Sequence, residues 1–419
     1  MEFFTGFFLC FLFASLSLEL WLGTRQIVRV RSHRAAIPED FKASISLENH
    51  QKAADYTITK TRLNLLALPY GALLLLAWTL GGGIDLLDGL WRASDVSGLF
   101  RGTGVLLCLL VASAVLRLPF TLYGTFVIEE RFGFNRTTAA VFLSDCLKSL
   151  LLLLAIGTPL ICFVLWLMET SEGSWWLHVW GVWTCFLLLN LWLYPRFIAP
   201  LFNKFTLLKD ETLKVRIGQL AERCGLVLKE IFVMDGSRRS SHGNAYFTGF
   251  GRNKRIVFFD TLLTGLGAEE IEAVLAHELG HFNCHHVPKL FVASAILALA
   301  GLMTLGWLAD THWFYSGLGV SAPSKYMALA LFILIVPMFM IFIHPLTSLL
   351  SRRFEYEADR YAAANSDVGM LVQALVKLYQ DNASTLTPDH LYSTFYHSHP
   401  PPAIRLARLK GLAAGLVNL

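Results

Sequence analysis

Charged residues are scarce in this chain: they make up 16% of its 419 residues, whereas 55% are hydrophobic. A soluble protein of this length is usually nearer a quarter charged, so the composition argues against an ordinary globular domain. The formal net charge of +4 is small and gives no reason to expect a nucleic-acid partner. There is also no internal repeat and no low-complexity linker.

Cysteine is uncommon as well. The seven cysteines are scattered, and no two of them are spaced as a CxxC pair. Several fall within apolar stretches of the chain. This pattern argues against a disulfide framework and against cysteine-ligated zinc, and it is consistent with a reduced cytoplasmic face.

The chain is rich instead in long apolar runs that can cross about 30 Å of hydrocarbon as helices. We predict about seven spans, at residues 3–18, 63–84, 103–123, 149–168, 175–194, 290–309 and 326–343. The first run lacks a basic n-region and a small-residue cleavage site, so we expect a retained span and not a removable signal peptide. The predicted fold class is mostly α, in a polytopic membrane protein.

Basic residues predict how the spans are oriented. The loop after the first span carries eight of them between residues 19 and 62, whereas the loop at 81–101 has three aspartates against two arginines. Because basic loops stay on the cytoplasmic side, we expect the N-terminus outside and residues 196–289 facing the cytoplasm.

Polarity divides the chain into four parts. Five spans with short loops occupy residues 1–195, and a more polar region follows at 196–289. Spans six and seven lie within 290–350, and residues 351–419 form a polar, mostly helical tail. At the first of these boundaries, two prolines in Tyr194-Pro195-Arg196-Phe197-Ile198-Ala199-Pro200 predict a helix break.

The polar region mixes helix and strand. We predict a helix at residues 211–224 and a strand at 230–234. Segments 244–250 and 254–260 flank Gly251-Arg252-Asn253, which predicts a β-hairpin with a three-residue loop. A small β-sheet is therefore expected beside the membrane helices.

The most informative stretch is His277-Glu278-Leu279-Gly280-His281, within a helix predicted at residues 268–286. Positions i and i+4 share one helix face, so both imidazoles can reach the same metal ion. Glu278 lies beside them, where it can take a proton from the water that attacks the substrate. The pattern is typical of a zinc peptidase.

A zinc hydrolase needs a third protein ligand and one open position. Glu355 follows span seven, and an even number of crossings separates it from the HELGH helix, so both lie on the same side of the membrane. Asp359 is one turn further along the same face. It could orient a ligand imidazole or donate a proton late in catalysis.

Alternative interpretations of these residues remain open. Glu355 and Glu357 could form ordinary ion pairs with neighbouring arginines on a solvated helix, namely Arg352, Arg353 or Arg360. A ligand triplet of His277, His281 and His285 would span about 12 Å, too far for one ion unless the helix bends. His242 and His286 are expected to be surface or interfacial residues.

Two further features are candidate parts of the site. His399 and Arg405, around a run of prolines, are candidates to donate to the oxyanion that forms during hydrolysis, although a His-Pro-Pro sequence is also an ordinary chain reversal. The strand at 244–250 could hold an extended peptide along a free edge, or be an ordinary sheet strand.

Six segments, in order, resemble the type I integral-membrane CAAX prenyl proteases. Besides HELGH and residues 351–359, they are Glu129-Glu130-Arg131-Phe132-Gly133-Phe134-Asn135-Arg136, Ile198-Ala199-Pro200-Leu201-Phe202-Asn203-Lys204-Phe205, Asp235-Gly236-Ser237-Arg238-Arg239-Ser240-Ser241-His242-Gly243-Asn244-Ala245-Tyr246-Phe247, and Tyr396-His397-Ser398-His399-Pro400-Pro401. The resemblance covers nearly the whole chain.

The resemblance implies seven membrane helices around a large water-filled chamber, closed on the cytoplasmic side by a gluzincin-like protease domain with one Zn²⁺. It implies an enzyme that removes the last three residues after a prenylated cysteine, and in some members also cuts a lipopeptide upstream. The implied roles are ligands for His277, His281 and Glu355, base for Glu278, active-site acid for Asp359, substrate contacts for Asn244, Ala245 and Tyr246, and transition-state contacts for His399 and Arg405.

Some features depart from the family pattern. The loop at 310–325 is short, Pro402, Ala403 and Ile404 replace bulkier and acidic residues before Arg405, and the tail carries no retention signal. These features suggest a bacterial homologue in the cytoplasmic membrane, for which prenylated proteins need not be the natural substrate. In a eukaryote we would expect the endoplasmic reticulum. The oligomeric state is not predicted.

Three other functions are alternatives to a CAAX peptidase. A quality-control peptidase that cuts unprenylated membrane proteins would share the same chemistry. A zinc transporter or scaffold would need ligands inside the spans, and the runs at 149–168 and 290–309 offer none. An intramembrane protease would place HELGH within an apolar span, whereas Glu269, Glu270 and Glu272 precede it here.

Overall fold

The computed structural model describes residues 3–226, 228–248 and 254–415. Within these ranges the chain is mostly helical. The α-helices are α1 (Phe3–Ser32), α2 (Leu47–Trp78), α3 (Gly83–Arg92), α4 (Gly98–Tyr123), α5 (Ala139–Leu152), α6 (Thr158–Thr170), α7 (Trp175–Leu193), α8 (Ala199–Phe202), α9 (Glu211–Arg223), α10 (Asp260–Gly265), α11 (Ala268–Asn283), α12 (His286–Leu308), α13 (His312–Ser316), α14 (Lys325–Asn365), α15 (Val368–Asp381), α16 (His390–Tyr396) and α17 (Pro402–Ala413).

Seven continuous helical stretches of the described chain are long and apolar enough to cross a membrane, which confirms the predicted number of spans. They are Phe3–Ser32, Leu47–Trp78, Gly98–Glu129, Ala139–Thr170, Trp175–Phe202, His286–Leu308 and Lys325–Asn365. Helix α11, which carries HELGH, is not among them. The motif therefore lies outside the membrane-spanning helices.

The predicted helix break at Pro195 and Pro200 is wrong. The fifth span continues through a π-helical turn at Tyr194–Ile198 and ends only at Phe202. A π turn is wider than an α turn, so it can accept a proline ring and a missing N–H that would otherwise break the helix. Similar π turns occur in the third and fourth spans, at Gly124–Glu129 and Leu153–Gly157.

The second span ends earlier than predicted, at Trp78 instead of residue 84. The chain turns at Gly82, whose φ of 74° lies in the left-handed region that glycine adopts without strain. The short helix α3 then begins at Gly83. At its other end α2 starts at Leu47, far before the apolar run, because the Ser46 side chain caps it by accepting a hydrogen bond from the Asn49 N–H.

The polar region forms a four-stranded mixed sheet, as the fold class predicted. Its strands are β1 (Phe205–Leu207), β2 (Leu228–Met234), β3 (Ala245–Thr248) and β4 (Lys254–Phe259), in the order β1-β2-β4-β3. Strands β2 and β4 are parallel, and the other two pairs are antiparallel. The predicted hairpin strands are present as β3 and β4, but the predicted loop at 251–253 lies outside the described residues.

One buried cluster joins this sheet to α11. Ile256 and Phe258 of β4 belong to it together with Leu275 and Leu279 of α11, and all four side chains are almost fully buried. Helix α11 ends at Asn283, three residues earlier than predicted, because His285 adopts a left-handed conformation with φ 58°. The chain turns there and α12 begins at His286.

A cavity of about 1450 Å³ lies between α1, α6, α7, α12 and α14. Its walls are aliphatic and aromatic, and among the described residues that line it Ser294 and Thr304 carry the only hydroxyl groups. The cavity is therefore suited to hydrocarbon more than to ions or sugars. Along α14 it reaches as far as Ile343, which precedes Glu355 by twelve residues, or about 18 Å of helix.

Candidate metal centre

Helix α11 carries two of the predicted ligands on one face. The Nε2 atoms of His277 and His281 lie 3.2 Å apart, as the i, i+4 spacing predicts. The start of the helix is secured by Glu270, whose carboxylate accepts a 2.7 Å hydrogen bond from the Gly267 N–H and pairs with Lys377 at 2.7 Å. Acidic residues in this first turn also complement the helix dipole.

Helix α14 supplies the third predicted ligand. It is continuous from Lys325 to Asn365 and carries Glu355, which is 3% exposed. One carboxylate oxygen of Glu355 lies 3.3 Å from His281 Nε2, and the other lies 3.5 Å from His277 Nε2. The structure therefore brings together the three predicted ligands.

The close approach of these two helices depends on Gly280. A Cβ atom at this position would lie 2.8 Å from Ala358 Cα and 3.0 Å from the Ala358 carbonyl oxygen. Both contacts are with backbone and cannot be relieved by turning a side chain. The glycine of HELGH thus lets α14 pass close enough for its carboxylate to meet the two imidazoles.

The three donor groups fit a tetrahedral divalent metal. With bonds of about 2.0–2.1 Å to nitrogen and oxygen, the ligand atoms of such an ion lie about 3.3–3.4 Å apart. The separations here are 3.2, 3.3 and 3.5 Å. In addition, Glu355 Oε2 is buried and accepts no well-aligned hydrogen bond from the described residues.

Asp359 and Arg405 form a buried pair behind His277. Arg405, on α17, donates to both carboxylate oxygens of Asp359, at 2.7 and 2.9 Å. Asp359 Oδ1 also lies 2.9 Å from His277 Nδ1. These two residues are 1% and 5% exposed, so each charge is neutralised by the other in a place that water hardly reaches.

These contacts perturb the ionisation of the metal-free site. Burial and the nearby Arg405 guanidinium lower the pKa of His277, but Asp359 and Glu355 outweigh them and raise it to about 9. Burial lowers the pKa of Arg405, but the negative charge of Asp359 raises it by more, so the pKa of Arg405 lies above its ordinary value. Metal binding must displace a proton from His277.

His399 approaches the Glu355 carboxylate from the solvent side. Its Nδ1 lies 2.8 Å from Glu355 Oε2, and its side chain is 66% exposed. It sits between α16 and α17, just before the prolines that lead into α17. Arg405 Nη1 lies 3.2 Å from the same oxygen. Both candidates for transition-state contacts therefore reach Glu355.

Glu278 is placed differently from the ligands. It is partly exposed, and its carboxylate makes no hydrogen bond or ion pair within residues 3–226, 228–248 and 254–415. A carboxylate with no bound partner on a helix next to a metal site is free to accept a proton. Its neighbours on either side, His277 and Leu279, are buried and hold this part of α11 in place.

The predicted substrate residues lie on the edge strand β3. Ala245 and Tyr246 belong to this strand, and Asn244 precedes it. Phe247 packs against Phe282 of α11, with ring centroids 5.4 Å apart, so the strand runs beside the end of the HELGH helix. None of the three predicted residues makes a hydrogen bond or ion pair to a metal ligand in the described chain.

The histidines outside the ligand set take other positions. His285 is exposed, bonds to the Asn283 carbonyl at 2.8 Å and does not join the ligand cluster. His242 stacks on Phe134 at 4.5 Å. His286 was expected at the surface or at an interface, and the surface alternative is wrong: it is 2% exposed, and its Nδ1 lies 2.8 Å from His281 Nδ1.

Sequence reasoning did not predict that His286 would lie beside His281, or that Glu357 would lie 3.1 Å from His286 Nε2. The missing information was the turn at His285, which swings His286 back toward His281. The only sequence signal was weak: Glu357 is two residues beyond a predicted ligand, and His286 is five residues beyond another.

The sequence and the fold are similar to those of known proteins. Residues 26–204 match the sequence model of the CAAX prenyl protease N-terminal region with five membrane helices, and residues 207–413 match peptidase family M48. The chain is 32% identical to the CAAX prenyl protease 1 homolog of Oryza sativa, over 96% of both chains. It belongs to the CAAX prenyl proteases of peptidase family M48.

Other members of this M48 family are similar over nearly their full length. CAAX prenyl protease 1 of Saccharomyces cerevisiae is 32% identical, covering 95% of this chain and 93% of that protein. The human homolog is 31% identical, covering 94% and 92%. The crystal structure of Ste24p from S. mikatae superposes with a TM-score of 0.92 at 31% identity, covering 98% of this chain and 99% of that one. This chain is a multi-pass membrane metallopeptidase, as predicted.

Proposed function

We propose that this metallopeptidase binds one zinc ion through His277, His281 and Glu355, and that it cleaves the peptide bond after a prenylated cysteine in CAAX substrates. The observation that carries the proposal is the meeting of three donor groups 3.2–3.5 Å apart, two from α11 and one from α14. The names of the relatives, CAAX prenyl protease 1, support the choice of substrate.

Each residue of the site has a distinct task in this proposal. When bound, zinc polarises the scissile carbonyl and lowers the pKa of water to about 7. Glu278 accepts the proton of the attacking water and passes it to the leaving amine. Asp359, held by Arg405, keeps His277 oriented with Nε2 toward the metal. His399, exposed beside Glu355, donates to the oxyanion as it forms.

The edge strand β3 is proposed to hold the substrate as an extended strand. Phe259 donates its N–H to the Asn244 carbonyl at 3.0 Å, so by the alternation of antiparallel strands the backbone groups of Ala245 and Phe247 point away from β4. In the structure the Ala245 N–H donates to Asn244 Oδ1 at 2.8 Å, and it can pair with a peptide once this side chain turns away, as can the backbone groups of Phe247. An Ala245→Pro variant removes this N–H and its bond to Asn244 without breaking a bond to β4, and we expect a higher KM.

The apolar cavity supports a lipid-modified substrate. An isoprenoid attached next to the scissile bond would start near the metal site, and the cavity begins about 18 Å away along α14. Because its walls are aliphatic and aromatic, a hydrocarbon chain could enter the cavity without removing polar groups from water. We further propose, from the distribution of basic residues, that the metal site faces the cytoplasm.

The test is cleavage by the purified protein of two matched peptides ending in CAAX, one farnesylated at its cysteine and one not. We expect release of the last three residues from the farnesylated peptide, no product with Glu278→Gln, and much slower cleavage of the unmodified peptide. Equal turnover of both peptides, or of unprenylated membrane proteins, would overturn the proposed specificity and favour a quality-control peptidase. Activity that persists after complete removal of metal would overturn the mechanism.

A further inference from the structure

A chain of polar contacts leads away from the metal site on the side of His281. The Nδ1 atom of His281 lies 2.8 Å from Nδ1 of His286, and Nε2 of His286 lies 3.1 Å from a carboxylate oxygen of Glu357. His286 is 2% exposed and stacks on Phe354, with ring centroids 4.2 Å apart and planes 11° from parallel. We propose that His286 and Glu357 are positioning residues that hold His281 in the orientation and tautomer required for binding the metal.

The donors and acceptors of this chain can be assigned without conflict. If His281 Nε2 binds the metal, its proton must be on Nδ1, and this N–H can donate to the lone pair of His286 Nδ1. His286 then carries its own proton on Nε2 and donates it to Glu357. Every nitrogen of the two rings is used once, and the carboxylate at the end fixes the direction of both hydrogen bonds.

The surroundings of Glu357 keep this carboxylate an acceptor. Arg353 lies 3.2 Å from one of its oxygens, and Lys289 lies 3.8 Å from the other. Glu357 therefore has the same relation to His281 that Asp359 has to His277, except that it acts through the imidazole of His286. Both ligand histidines of α11 are thus held from the side opposite to the metal.

Alternatively, His286 and Glu357 could bind a second metal ion together with Cys284. Cys284, His286 and Glu357 can place one donor atom each within 4.8 Å of one another. Positioning and metal binding exclude each other, however, because a metal on His286 Nε2 would displace the proton that His286 gives to Glu357. We favour positioning, since both nitrogens of His286 have partners and Glu357 is paired with two basic side chains.

The test measures the rate at which zinc leaves the full-length protein in the presence of excess chelator. We expect His286→Leu to lose zinc 10–100 times faster than wild type, the usual effect of removing the partner of a ligand histidine. His286→Asn keeps an acceptor near the position of Nδ1 and should restore most of the retention. Glu357→Leu should lie between wild type and His286→Leu, and Cys284→Ala, the control, should match wild type.

The inference rests on the proposed metal site, and the outcomes separate the two. If wild type binds no zinc, the metal site itself fails. If wild type holds one zinc but His286→Leu and Glu357→Leu release it at the wild-type rate, only the positioning role fails. A second bound equivalent of zinc in wild type that is lost in Cys284→Ala would also overturn the positioning role, in favour of a second site. If His286→Leu does not fold, the pair Glu357→Leu and His286→Asn decides.

Discussion

Replacing Asp359 by asparagine tests how far the metal site depends on the buried pair behind it. The carboxylate of Asp359 accepts two hydrogen bonds from Arg405, at 2.7 and 2.9 Å, and lies 2.9 Å from His277 Nδ1. An asparagine has one oxygen, so its NH₂ group must face a donor of Arg405 or His277. Arg405 also loses its nearest counter-charge while staying buried.

The expected effects are large for so small a change. Removing one partner of a buried ion pair costs about 3–5 kcal/mol, a large share of the stability of a protein domain. Loss of the group that orients a ligand histidine weakens metal binding by about 10–100-fold. We therefore expect Asp359→Asn to unfold at a lower temperature in detergent and to release zinc faster to a chelator.

The matched control is Asp389→Asn. Asp389 is also buried and accepts two hydrogen bonds from one arginine, Arg25, at 2.9 and 3.3 Å, but it touches no metal ligand. This variant should lose stability while its zinc dissociation rate stays at the wild-type value. Our reasoning is refuted if Asp359→Asn keeps the wild-type zinc dissociation rate, or if Asp389→Asn accelerates zinc loss to the same extent.

Three further predictions concern the same site. Glu278→Gln should lower kcat by at least about 10²-fold while zinc content, measured by elemental analysis, stays at the wild-type level, because only the proton acceptor is removed. Gly280→Ala should reduce zinc content even though alanine favours helices by about 1 kcal/mol, because its Cβ would push α11 and α14 apart; normal zinc content would contradict this. In metal-free protein the pKa of His277 is raised from 6.5 to about 9, so its protonated form stabilises the fold below about pH 6.5 and this contribution is lost as the pH rises through about 9. Thermal unfolding of chelated protein across this range should show the decline, and zinc should bind more weakly as the pH falls below 9.

Much of the fold could be predicted from the sequence because the membrane limits the alternatives. Long apolar runs must cross as helices, so counting them gave the number of spans and returned Glu355 to the side of HELGH. The same-face rule for positions i and i+4 accounts for the pairing of His277 with His281. These inferences depend on periodicity and on length, which a sequence displays directly.

The parts that were wrong depend on packing between distant segments. No local sequence pattern predicts that the fifth span continues past Pro195 in a π turn. Nor does one predict that His285, which is not a glycine, adopts a positive φ. That one residue ends α11, starts α12 and buries His286 against His281. A residue's place behind a metal ligand is decided by such turns, and composition cannot reveal it.

The central claim is that two imidazoles of α11 and one carboxylate of α14 bind a single zinc ion. Zinc K-edge X-ray absorption of the purified protein tests it most directly. The account predicts one zinc per chain, surrounded only by nitrogen and oxygen at about 2.0–2.1 Å, with outer-shell scattering from two imidazole rings. A sulfur neighbour at about 2.3 Å, or scattering from fewer than two imidazoles, would contradict it.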